Sequence, residues 1–217
     1  MYPFMGISFD RSYFMGGMTI KTLWIAIYAG VLIWSVIYPK DLFTWFLEVF
    51  PALIGALVLA VTYKSFRLTP LVYSLILFHC IILMVGGHYT YAEVPLFDYL
   101  KDFLGTTRND YDKLGHFAQG FVPAMIAREI VIRKQVIRGA AWQAFFIVCA
   151  CLAISAFYEL VEWWVAVATG TGAEAFLGTQ GYVWDTQSDM ATALVGAISA
   201  LALLSKWHNN QLAKIKT

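Results

Sequence analysis

The stretch GAAWQAFFIVCACLAISAFYELVEWWVAVA (139–168) decides the fold class. It contains no lysine or arginine. A helix needs about 20 apolar residues to cross roughly 30 Å of hydrocarbon, so this stretch is long enough to span a membrane. Two glutamates, Glu159 and Glu162, sit inside it at a spacing of i, i+3. Ionisable groups within a span are costly and tend to mark functional sites. One segment therefore reports both the class of the protein and a place to look for its chemistry.

Working outward, five more segments read the same way: about 19–38, 42–63, 68–87, 111–132 and 183–204. The segment 111–132 is the most polar, and Pro51 and Gly55 lie within the second. Composition agrees. Of 217 residues, 60% are hydrophobic and only 13% charged, and mean hydropathy is +0.66. A soluble domain carries about 25% charged residues. The expectation is an all-α, polytopic membrane bundle of about six helices, a single integral domain over residues 1–217. A net charge of +1 gives no reason to expect a nucleic-acid partner. Cys80, Cys149 and Cys151 lie in apolar runs, where a thiol acts as a small hydrophobe. The N-terminus lacks the pattern of a cleaved signal peptide.

Basic residues in short loops set orientation. With the N-terminus inside, Arg11, Lys21, Lys64, Arg67, Arg128, Arg133, Lys134, Arg138, Lys206, Lys214 and Lys216 fall on the cytoplasmic side, and Lys40, Lys101, Arg108 and Lys113 fall outside. This predicts that both termini are cytoplasmic. Of the acids, only Asp10 and Glu129 lie at the inner side. The link over Thr90–Arg108 is aromatic and acidic, and it reads as either a short amphipathic helix on the outer interface or an ordinary loop.

The other twelve acids lie in the outer loops or the outer halves of the spans, and several ionisable groups stand at matching depth. His88 ends the third span. Asp112 and His116 open the fourth at i, i+4, hence on one face, and Gln119 continues that face. Glu159 and Glu162 lie in the outer part of the fifth, and Asp185 and Asp189 open the sixth. Asp112, His116, Glu159 and Asp189 are the candidate catalytic residues. Imidazole with carboxylates is a ligand set for zinc, iron or manganese, so His88, His116, Glu159, Glu162 and Asp185 are candidate ligands for a divalent metal such as zinc. Arg108, Lys113, Gln119, Gln180 and Trp184 are candidates for substrate contact. The bland alternatives are specific. Asp112 and Asp185 could cap helices. Glu159 could pair with Lys113 or Arg108, and Glu162 could reach the interface beside Trp163 and Trp164. Glu48 and His79 read as structural, His208 as part of the tail, and Arg128-Glu129 with Arg133-Lys134 as a solvated inner rim.

The strings GGHYTYAEVP (86–95), RNDYDKLGHFAQGFVPA (108–124), ISAFYELVEWW (154–164) and FLGTQGYVWDTQSDMATALVGA (176–197) resemble the YjdF family of bacterial inner-membrane proteins over about residues 20–205. The wider pattern is similar to the VanZ-like membrane proteins. Asp112-Lys113 with His116-Phe117, then Glu159, then Asp185 and Asp189 before Ala193–Gly196 carry that likeness. The resemblance implies a multi-pass inner-membrane fold and a shared polar site, and it names no substrate. The residues themselves lead to three expectations. The first is a hydrolase or transferase acting, with a metal, on a lipid or lipid-linked envelope molecule. The second is a structural or ligand-binding module. The third is a proton- or cation-coupled transporter. The small-residue run Ala191–Ala200 suits close helix association under all three.

Overall fold

The computed structural model describes residues 11–170 and 174–215. Asp10 and Lys216, used above for orientation, lie outside the described residues. The elements are α1 (Arg11–Val36), α2 (Leu42–Thr62), α3 (Pro70–Tyr89), a 3-10 turn (Tyr91–Glu93), α4 (Pro95–Leu104), α5 (Tyr111–Lys134), α6 (Ala140–Thr169), α7 (Glu174–Leu177) and α8 (Asp185–Leu212). No strand occurs among the described residues. By length and composition α2, α3, α6 and α8 can each cross a membrane, and α1 adds the shorter apolar stretch Ile20–Val36. The most polar of the long helices, α5, packs against α3, α6 and α8.

Helix ends follow from local chemistry. Asp41 is extended and its Oδ2 accepts the Thr44 N–H at 2.6 Å, which starts α2. That bond holds the Asp41 carboxyl below its ordinary range. We expect Asp41→Ala to cost about 1 kcal/mol. Because the folded-state value is depressed, the contribution is complete above the unfolded value of about 3.9 and disappears as pH falls through the lower folded-state value. Thermal midpoints of the variant and the natural protein should therefore converge in acid. Thr69 caps α3 ahead of Pro70 at the first helical position, where a missing N–H costs nothing. At the other end of α4, Gly105 adopts φ +67 and terminates the helix. Of the two readings of Thr90–Arg108, helix or loop, the short amphipathic helix is the one that forms. Leu96, Tyr99, Leu100, Phe103 and Leu104 are its exposed apolar residues, while Asp98 is bound by Asn109 and Lys101.

The α5–α8 crossing sets the centre of the bundle. Gly120 lies against the Ala193 carbonyl and Gly196 against the Phe117 carbonyl, so closely that a Cβ at either would overlap backbone. Ala193, Ala197 and Ala200 are fully buried along the same seam. The small-residue run thus works as expected, by letting two backbones approach.

Two expectations at the opposite end need correction. α8 continues two turns past the apolar window, so His208 belongs to a helix rather than a tail. Glu129 is not at a solvated rim: it and His208 are both 0% exposed. Glu129 accepts from Thr69 N–H at 3.0 Å, Thr69 Oγ1 at 2.7 Å, Arg133 at 2.8 Å and His208 Nε2 at 3.0 Å. Arg128 donates to His208 Nδ1 at 2.8 Å. The reason is tertiary: three chain-distant elements converge and supply every donor that a buried carboxylate requires.

Candidate functional site

The first turns of α5 and α8 and the outer part of α6 bring the acids together around His116. Asp112 and His116 share a face of α5, and His116 Nε2 lies 3.3 Å from Asp112 Oδ1. The close α5–α8 seam places Asp189 Oδ2 at 3.9 Å from the same nitrogen. On the other side of the ring, Nδ1 lies 3.1 Å from Gln119 Oε1 and 3.7 Å from Glu159 Oε1. His116, Asp112, Glu159, Asp185 and Asp189 are all buried. The four candidate catalytic side chains therefore form one cluster.

Among the described residues, two sets of atoms lie close enough to hold a metal ion. One is Asp112, His116 and Asp189; the other is His116, Glu159 and Glu162. In each, the ligand atoms lie within 4.8 Å of one another. Glu159 Oε1 is buried and has no hydrogen-bond partner. An orphaned carboxylate oxygen in a dry interior is costly unless something binds it.

The cations that could have neutralised Glu159 are engaged elsewhere. Lys113 binds Asp189 and Ser188, and lies 3.1 Å from Asp185. Arg108 binds Asp185, and binds Asp112 at 3.0 Å. These carboxylates help hold the Arg108 guanidinium above its ordinary value against the opposing effect of burial. The pairing of Glu159 with Lys113 or Arg108, one of the bland alternatives, is thus not what forms. Asp112 and Asp185 likewise act through ion pairs; the N-cap residues themselves, Asp110 of α5 and Trp184 of α8, make no side-chain cap bond.

Other expected residues stand elsewhere. His88 does not reach the cluster. Its Nδ1 donates to the Ser35 carbonyl at 3.1 Å and its ring lies 4.4 Å from Trp34, so it fastens α3 to α1. Gln180 uses both amide atoms on the backbone of Asn109, at 3.0 and 2.8 Å, and staples the segment before α8 onto the start of α5. Trp184 is exposed at the start of α8.

A cavity of about 220 Å³ adjoins His116. Asp112, His116, Gln119 and Glu162 line it, together with Glu48, His79, Tyr91 and Tyr158. Glu48 and His79 read as structural from the sequence, Tyr91 reads only as one of the aromatics of the Thr90–Arg108 link, and Tyr158 is not among the candidate residues. Tyr91 reaches the cavity because its ring fits against Gly86 of α3 and Gly115 of α5, where any Cβ would collide with it. The signal for Glu48 was present: it is a carboxylate within an apolar span. Counting Glu48, Asp112, Glu159, Glu162, Asp185 and Asp189 against Arg108 and Lys113, the region holds six acids and two fixed cations. Such a surplus at low dielectric is stable only with added positive charge, from protons or a bound cation.

The family described as "Predicted membrane protein (DUF2238)" matches residues 20–210. The chain is 52% identical over 184 residues to the inner membrane protein YjdF of Escherichia coli (strain K12), covering 85% of this chain and 88% of that protein. The resemblance carried by the four quoted strings is thereby borne out. No solved structure matches the chain.

Proposed function

The chain belongs to the DUF2238 family of membrane proteins, and on that premise we propose that it is a metal-assisted hydrolase or transferase acting on a lipid or lipid-linked envelope molecule at the outer leaflet of the inner membrane. The observation that carries this reading is the convergence of α5, α6 and α8 on His116, with Asp112, Glu159 and Asp189 at 3.3, 3.7 and 3.9 Å. Cytoplasmic termini and six crossings, as the basic residues suggest, would put the cluster near the periplasmic face.

His116 with Glu159 and Glu162, or with Asp112 and Asp189, would hold the ion. A divalent cation there supplies Lewis acidity and lowers the pKa of a bound water. Lys113 and Arg108 hold Asp185, Asp189 and Asp112 in place, so that the ring of His116 is fixed from both sides. Gln119 orients its Nδ1 edge. The cavity with Tyr91 and Tyr158 receives the reacting part of the substrate. Exposed Trp163, Trp164 and Trp184 stand at the same end of the bundle, and aromatic residues of this kind favour the headgroup level.

Elemental analysis of the protein purified in detergent tests the proposal. About one divalent ion per chain is expected. His116→Ala and Glu159→Gln should weaken retention by at least the roughly 10- to 100-fold that loss of a supporting group costs, with the helical signal unchanged. A natural protein free of metal, combined with unaltered envelope phenotypes for Glu159→Gln, would refute it.

A further inference from the structure

At the end of the bundle remote from His116, α2 and α5 both pack on α3. Between them runs a groove of about 410 Å³. Gly55 and Val58 of α2, Ile76 of α3, and Ile126 and Ile130 of α5 form its apolar walls. Lys134, in the last turn of α5, is the one charged residue among its described lining. From Lys134 to Ile126 the groove extends along roughly 12 Å of helix. That length stays within one leaflet of a hydrocarbon core about 30 Å thick.

Among the described residues, the exposed charge around the mouth has one sign. Lys134 Nζ lies 5.4 Å from the centroid of Phe66, and the Arg133 guanidinium lies 3.9 Å from it. Lys64 and Arg67 flank Phe66 in the turn between α2 and α3, and both are exposed. Glu129 is the carboxylate described at this end, and it is buried under bonds from Thr69, Arg133 and His208. It offers Lys134 no neutralising contact at the surface. An apolar slot one leaflet deep, with a cationic rim at headgroup level, matches a molecule with a hydrocarbon tail and a negatively charged head.

We propose that this groove holds one acyl chain of an anionic phospholipid, with its phosphate engaged by Lys134 and the Lys64–Arg67 turn. The site is independent of the His116 cluster and of any activity there. Lipid bound in this slot would fill the gap between α2 and α5 and brace α2, which also carries Glu48 to the cavity at the other end.

Native mass spectrometry of the full chain, released from detergent after titration with phosphatidylglycerol or with phosphatidylcholine of the same chains, tests the proposal. One phosphatidylglycerol should be retained in preference to phosphatidylcholine by about fivefold or more, the factor that one surface cation is worth. Lys134→Gln should lower that preference by about fivefold. Gly55→Leu should lower retention of both lipids, because a side chain at Gly55 meets no atom within 4 Å and would enter the open slot. Lys134 is exposed, so its replacement leaves the fold intact even if Gly55→Leu does not. Equal retention of the two lipids by the natural protein overturns the proposal. So does a preference that Lys134→Gln leaves undiminished, or binding of glycerol phosphate alone as tightly as the whole lipid.

Discussion

Gly120→Ala is expected to lower the thermal midpoint of the detergent-solubilised protein by about 10 °C, a loss of at least 3 kcal/mol or so. The usual cost of overpacking is held down because a crowded side chain can rotate aside. Here the colliding group is the Ala193 carbonyl, part of the α8 backbone, and it cannot rotate away. The helices must separate, and separation also opens the Gly196–Phe117 contact one turn along the same seam. Gly196→Ala should therefore be similarly damaging, and the double variant should cost less than the sum, because both act on one crossing. Gly30→Ala supplies the contrast. No atom lies within 4 Å of its added Cβ, and alanine favours a helix over glycine by about 1 kcal/mol. Its midpoint should hold or rise. Separating α5 from α8 also draws Asp189 from His116, so metal retention by Gly120→Ala should fall well below its new midpoint. Equal midpoints for Gly120→Ala and Gly30→Ala would show that the seam does not govern stability.

The seam also marks the boundary of what was legible in the sequence. Depth along a helix follows from residue number at about 1.5 Å per residue. That is why residue number alone assigns Asp112, His116, Glu159, Glu162, Asp185 and Asp189 to one layer. Azimuth is different, because it depends on which face each helix turns to its neighbours. His88 has the expected depth but faces Ser35 and Trp34 of α1. Glu48 and His79 each stand alone on apolar helices, and their partners in the cavity come from other helices, so periodicity within one helix could not reveal them. Tyr91 is a wedge whose slot is made by two glycines from different elements. The far end failed for a further reason. Hydropathy stops reporting a helix where it leaves the apolar layer, yet α8 continues to Leu212 because His208, Asn209 and Gln211 bind Glu129, Arg128 and the N–H of Leu71.

That far end should prove the more fragile. Glu129→Ala is expected to cost about 3–5 kcal/mol, the range for breaking a buried charge pair by removing one partner. The carboxylate is 0% exposed and accepts from the Thr69 backbone, the Thr69 hydroxyl, Arg133 and His208. Its loss strands four donors at once. Glu129→Gln keeps the shape but turns one acceptor into a donor facing other donors, so it should rescue little. His208→Ala removes one bond and leaves a void, with a smaller loss of about 2–3 kcal/mol. Arg128 fixes the tautomer by donating to Nδ1, so His208→Asn should recover less than one hydrogen bond. His116 and Glu129 stand roughly 20 Å apart along α5, and well-separated sites combine additively. Glu129→Ala should therefore leave metal retention intact below its lowered midpoint, and its stability loss should add to that of Glu159→Gln within about 0.5 kcal/mol. A strongly non-additive pair would mean that the two ends of α5 share a conformational equilibrium. An unchanged midpoint for Glu129→Ala would mean that this buried carboxylate does not hold α3, α5 and α8 together.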